Sequence, residues 1–351
     1  MPMLPTNLNK SAIIAVLLTC IAIASWEYYL RKQEIPISYD NLSPLWAHKR
    51  AKVYTPSDKA TVFIGASRIK FDLDTDEWRS ITGTEAIQLA WEGSNPIPVL
   101  LDLAADQKFK GNLVVDVTEE LFFTPAIGQN VESPNNAIKY YKEETPAQKV
   151  GSVINNFFES QFVFLDKESL SLSALLDQVH IKNRANVVSP PTFPIEFFRV
   201  KFSRQTYMTP KMIADTLIQQ KVQGIWTYYA KMAEKEPPLT DSMINAAMQT
   251  VKTAVDKMKA RGCKIYFVRT PSSGPMLMGE NMGFPREKFW NKLVEFTGCP
   301  AIHFMDYPEI NHFVCPEWSH LSPADAIVFT RAFAKILREE KGFSYAVYKE
   351  D

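Results

Sequence analysis

Three side chains in this sequence are of the types that together activate an alcohol. Ser67 stands in Gly65-Ala66-Ser67, directly after a short apolar run, where the missing side chain of Gly65 permits a tight bend. His320 and Glu317 share the stretch Glu-Trp-Ser-His-Leu near the far end of the chain. A serine hydroxyl is a weak nucleophile until a base takes its proton, and the base needs a third group to fix its tautomer and stabilise its charged form. A carboxylate three residues before a histidine, on one turn, can reach the second ring nitrogen. These types and spacings therefore suit a Ser-His-Glu triad for acyl transfer. Arg269, at the end of another apolar run, is placed either to hold an anion in the same cleft or to form a salt bridge at the surface.

Other chemistries lack their signatures. His303, Asp306 and His312 are metal-type ligands within ten residues, but His303 alternates along a strand and no second cluster supports it, so no metal is expected. Neither Gly-x-Gly-x-x-Gly nor Gly-Lys-Ser/Thr occurs, which removes the usual dinucleotide and phosphate-loop readings, and no cofactor is expected. Cys20, Cys263, Cys299 and Cys315 show no zinc-type spacing; Cys299 and Cys315 are close enough in sequence to pair across a loop, which separation alone does not decide. Thirty-nine basic residues balance 39 acidic ones, so nucleic acid is not an expected partner. An apolar fraction of 46% with 22% charged residues excludes wholesale disorder.

The elements that must position the triad alternate between strand and helix. Thr61–Ile64, Glu85–Ala90, Asn112–Val117, Lys264–Val268 and Ala301–Met305 are short apolar runs of the kind buried on both faces of a sheet. Asn95 followed by Pro96 caps a helix running to about Ala105. Ile244, Met248, Val251, Val255 and Met258 form one stripe of a helix begun by Thr240 or Asp241 and stopped at Gly262. Ser322-Pro323-Ala324-Asp325 opens the last helix, which carries Phe329, Phe333, Ile336 and Leu337 inward and stops at Gly342. This alternation predicts an α/β fold with a mostly parallel sheet and helices on both faces, in which functional groups collect at the carboxyl ends of the strands.

Three regions lie outside this pattern. Residues 125–235 are rich in aromatics, including Phe157, Phe158, Phe197 and Trp226, with Arg184, Arg199, Lys201 and Arg204 adding positive charge. They read as a mainly helical insertion serving as extra core and lid, or as a docking surface. Residues 1–30 contain the uncharged run Ser11–Ser25, followed by Trp26, Tyr28 and Tyr29, and read as an uncleaved signal anchor. Ala22-Ile23-Ala24 offers an alternative cleavage site, and Leu17-Leu18-Thr19-Cys20 weakly matches a lipidation box. Residues 31–58 read as a polar connector, and 59–345 as the α/β domain. The basic residues after the anchor argue for a cytoplasmic body, but long domains translocate largely regardless of such charge, so an exported, membrane-anchored body is expected.

The serine after the first strand and the carboxylate-x-x-histidine before the last helix resemble the SGNH/GDSL hydrolase superfamily over about 60–118 and 262–340. The resemblance implies a flavodoxin-like three-layer fold, with Ser67 as nucleophile, His320 as base, Glu317 as its orienter and the Gly93 backbone as an oxyanion donor. Ala66 and Glu317 replace the family's usual aspartates. The loop Asp116-Val117-Thr118-Glu119-Glu120 lacks the family's third oxyanion donor, an asparagine, for which Asn95 or Thr118 would have to substitute. With its anchor and insertion the chain looks most like divergent members that accompany membrane-bound O-acyltransferases. The implied activity is a serine esterase or O-acyltransferase on an acylated envelope glycan. The alternative is a catalytically inactive subunit that docks the acyltransferase or binds glycan.

Overall fold

A computed structural model describes residues 8–125, 128–179 and 190–345; Arg184 lies outside them. Strands β1 (Ala60–Ile64), β2 (Glu85–Gln88), β3 (Asn112–Asp116), β6 (Lys264–Arg269) and β7 (Ala301–His303) form a five-stranded sheet. Its order is β2-β1-β3-β6-β7 and every pairing is parallel, with Val62 opposite both Ile87 and Leu113. Successive strand side chains point to opposite faces, which explains why β1 and β3 carry apolar residues toward both. Val62, Ile64, Leu113 and Val115 enter one core, while Phe63 and Val114 enter another.

The first core takes the stripe Ile244, Met248, Val251, Val255 and Met258 from the helix Asp241–Lys259, all buried. Thr240 is its cap, accepting a hydrogen bond from the Met243 amide. The second core takes Phe329, Phe333, Ile336 and Leu337 from the helix Pro323–Lys341. Ser322 caps that helix twice over, accepting from the Asp325 amide at 3.1 Å and donating to its carboxylate at 2.7 Å. The left-handed Gly342 ends it.

The insertion contains the helices Gln129–Glu143, Pro146–Glu159 and Thr216–Ala233 and some shorter ones. It also holds an antiparallel hairpin, β4 (Phe198–Val200) with β5 (Thr206–Met208), which periodicity did not reveal because each strand is only three residues long. The connector packs as structure. Ser43–Arg50 is a helix whose Trp46 is buried and donates from its indole to the Leu89 carbonyl at 2.9 Å, while Arg50 pairs with Asp102 and Asp106. At the amino end, Leu8–Lys32 is one helix of 25 residues, long and apolar enough to be a membrane anchor or signal sequence.

Candidate active site

β1 delivers the polypeptide to Gly65, and the helix Ser67–Asp72 begins two residues later. Gly65 is required here, because a Cβ on it would lie 2.6 Å from the Cβ of Asp116 at the end of β3. The bend leaves Ser67 half-buried at the carboxyl edge of the sheet. The loop before the last helix brings His320 to the same place. Ser67 Oγ lies 2.8 Å from His320 Nε2, and Glu317 Oε1 lies 2.9 Å from His320 Nδ1. A buried carboxylate against Nδ1 holds the proton there and leaves Nε2 free to accept from the serine hydroxyl.

Glu317 is fully buried, so its charge must be met by donors. Oε1 also accepts from the His320 amide at 2.7 Å, and Oε2 accepts from the indole N–H of Trp226. Trp226 sits on the insertion helix Thr216–Ala233. His320 is boxed by rings: Phe71 stacks on it at 4.1 Å between centroids, with Trp226 at 6.0 Å and Phe197 at 6.2 Å. Phe71 belongs to the serine's own helix; Phe197 and Trp226 belong to the insertion. Apolar walls on a base that must gain charge make its paired carboxylate count for more than it would in water.

The histidine loop is held from two further sides. The Leu321 amide donates to Asp72 Oδ1 at 2.9 Å, and burial, aided by Asp116 and Glu317, pushes the Asp72 carboxyl well above the usual range. Trp318 has φ of +79°, a left-handed conformation costly for a bulky residue. It persists because the Ser273 amide bonds to the Trp318 carbonyl at 2.9 Å, and Ser273 Oγ accepts from the Cys315 amide at 3.0 Å. The four cysteines are all free, and Cys299 and Cys315 do not pair.

Arg269 makes neither a surface salt bridge nor an anion site. It is buried, donating from Nε to Glu119 at 2.7 Å, from Nη2 to Glu280 at 2.6 Å and from Nη1 to the Thr270 carbonyl at 2.6 Å. Glu280 also accepts from Arg68 and from Ser272 Oγ at 2.6 Å. Burial alone would raise the Glu280 carboxyl, but Arg269 and Arg68 outweigh it and hold it down to about 2. Arg68 follows Ser67 directly, so this network fastens the serine's helix to the loop after β6.

The oxyanion expectations divide. Gly93 lies in the turn after β2 with φ of +59° and open space where a Cβ would stand. Asn95 is occupied elsewhere: its amide donates to the Thr124 carbonyl at 2.9 Å, and its oxygen accepts from the Ile97 amide at 2.8 Å. Accepting from the first amide of the helix Ile97–Ala105 and tying down the carbonyls of Phe122 and Thr124 use up the side chain, and it has no donor left for a substrate. Thr118 directs its hydroxyl to Asp116 at 3.4 Å.

The metal-type residues do not converge. His303 Nδ1 accepts from the Met305 amide, Asp306 pairs with Arg286, and His312 contacts the Pro308 carbonyl. Among the described residues no group of three or more such side chains is placed to hold a metal ion. Compared with known proteins, the chain matches no family model and no curated protein.

Phe71, Asp72 and Trp226 are the neighbours that sequence reasoning did not single out. Phe71 lies one helical turn beyond Ser67, and that spacing was a usable signal; Asp72, five residues on, had none. No local signal pointed from Trp226 to a carboxylate 91 residues away.

Proposed function

We propose that the chain is a membrane-anchored, SGNH-like serine esterase or O-acyltransferase, acting on acyl esters, acetyl foremost, of an envelope glycan. The observation that carries this reading is the continuous relay from Ser67 Oγ through His320 to a fully buried, fully hydrogen-bonded Glu317. Ser67 Oγ attacks the ester carbonyl while His320 Nε2 takes its proton, and Glu317 stabilises the resulting imidazolium. Collapse of the tetrahedral adduct expels the alcohol, which receives the proton back from His320. The acyl group on Ser67 then passes to water or to a sugar hydroxyl by the reverse sequence. The Gly93 amide is the oxyanion donor by resemblance. The strand order corresponds to the flavodoxin-like sequence 2-1-3-4-5 when the sheet strands alone are counted, and supports a three-layer SGNH-like arrangement. In this reading the body is exported and works beside a membrane-bound O-acyltransferase.

One observation favours the second reading, an inactive subunit that binds glycan or docks the acyltransferase. With Asn95 committed to the fold, the oxyanion hole is short of a side-chain donor, and a single such donor is worth about 10²–10³ in kcat. Treatment of the full-length protein with a fluorophosphonate probe separates the two. Labelling at Ser67, abolished by Ser67→Ala and His320→Ala, supports the enzyme; folded protein that takes up no label and turns over no aryl acetate supports the binding subunit.

A further inference from the structure

The insertion helix Pro146–Glu159 has its amphipathicity reversed. Gln148, Ser152 and Asn155 line a hollow against Asp40, Leu42 and Pro44, so its polar side faces the body. Asn155 bonds to the buried Glu159 at 2.7 Å on that same side. The opposite stripe consists of Val150, Val153, Ile154, Phe157 and Phe158, at the three-and-four spacing of one helix face. These five side chains are 46–61% exposed. A helix at the surface of a globular protein turns such a stripe inward. Here it faces outward, and a contiguous apolar face of this kind marks an interaction surface.

Where the stripe leads identifies what covers it. Phe158 stacks on Phe162, and Phe162 lies against Phe164 at 5.6 Å. The amides of Val163 and Phe164 donate to the Glu27 carboxylate at 3.0 and 3.1 Å, and Arg31 donates to the Gln161 carbonyl at 2.6 Å. Leu30 packs with Val163 and Leu170. The apolar stripe therefore ends at the foot of the amino-terminal helix, beside the stacked pair Trp26 and Tyr29. Aromatic pairs of this kind sit at the level where a membrane helix meets water. Leu172 and Leu176, also exposed, extend the apolar surface from a short neighbouring helix.

We propose that the helix Pro146–Glu159 lies in the lipid–water interface of the bilayer that receives the Leu8–Lys32 helix, with its apolar stripe against the acyl chains. The inference rests on the reading of Leu8–Lys32 as a retained membrane anchor, and it names a phospholipid surface as the occupant. A single tether lets a body swivel; a tether joined rigidly to a surface-lying helix fixes which way the Ser67 cleft faces. The stripe would enter the bilayer by about 5–10 Å, the depth usual for interfacial helices.

The test uses the full chain in phosphatidylcholine–phosphatidylglycerol vesicles with an environment-sensitive fluorophore on single cysteines. The native Cys20, exposed on the anchor, reports the span. In a Cys20→Ser background, Phe157→Cys and Val153→Cys report the stripe, and Glu295→Cys, exposed on another helix, is the control. The remaining cysteines are buried. Lipids carrying a nitroxide high on the acyl chain should quench the probes at 153 and 157 more strongly than lipids carrying it deep. The order should reverse at Cys20, and position 295 should respond to neither. Quenching at Cys20 with none at 153 or 157 overturns the lipid contact and leaves a protein partner as the cover. No quenching at any position overturns the anchor as well.

Discussion

Glu280→Gln is the sharpest test of how the serine's helix is held. The wild-type carboxylate lies between two buried guanidinium groups, Arg68 and Arg269, and also accepts from Ser272. The variant keeps the shape of the side chain and one acceptor oxygen but removes the charge. Arg269 retains Glu119, whereas Arg68 retains only a long contact to Ser319 Oγ at 3.4 Å and the Met276 sulfur. Removing one partner of a buried pair costs about 3–5 kcal/mol. The lowered proton affinity expresses the same interaction: a carboxyl held near 2 instead of 4.5 corresponds to roughly 3 kcal/mol. Because the folded value is the lower one, that stability is present above pH 4.5 and is lost as pH falls toward 2. For a domain of this size the loss lowers Tm by on the order of 10 °C. Circular dichroism melts of the full chain in detergent, at pH 7 and in steps down to pH 2.5, measure both effects. A Tm within about 2 °C of wild type at pH 7, or an unchanged acid limb, would refute the reasoning.

Trp226→Phe strips Glu317 Oε2 of its donor and should slow fluorophosphonate labelling of Ser67 by about 10–100-fold, the equivalent of the 1.5–3 kcal/mol of a hydrogen bond to a charged group; equal rates would free the insertion from any part in the triad. Ser67→Ala and His320→Ala should each lower ester turnover on the order of 10³-fold or more, the double variant little further, and Glu317→Gln less than either. Burial, against the pull of Arg68 and Arg269, pushes the Asp116 carboxyl up to about 6 from 3.8, so the folded state binds that proton more tightly and wild-type stability falls as pH rises from about 4 through 6. Asp116→Asn should gain relative to wild type across that window, by about 3 kcal/mol at most, in urea titrations at pH 4 and 8.

The meeting of Ser67 with His320 was legible because a parallel sheet gathers the ends of its strands at one edge, whatever their distance along the chain. Glu317 followed from its spacing to His320. Arg269 was misplaced because the end of a strand says nothing about what faces it, and both of its carboxylates come from elements whose approach only the folded chain defines. Asn95 carried two readings, helix cap and oxyanion donor. Neither holds as stated: Pro96 takes the cap position, and Asn95, one residue earlier, is spent on the Ile97 amide and on the carbonyls of the 122–124 loop. The connector looked polar because Lys49, Arg50 and Lys52 surround Trp46; charged side chains with long stems conceal a buried helix from composition.

Ser67 and His320 are 253 residues apart, and the ring that closes over Glu317 comes from between them. A ribosome adds about 5–20 residues per second, so Ser67 emerges roughly 10–50 s before His320 does. Throughout that interval its hydroxyl is an ordinary alcohol. A chain broken off anywhere short of Glu317 therefore lacks both His320 and Glu317, and a reactive serine would attest that the polypeptide from residue 67 to residue 320 has been made and folded.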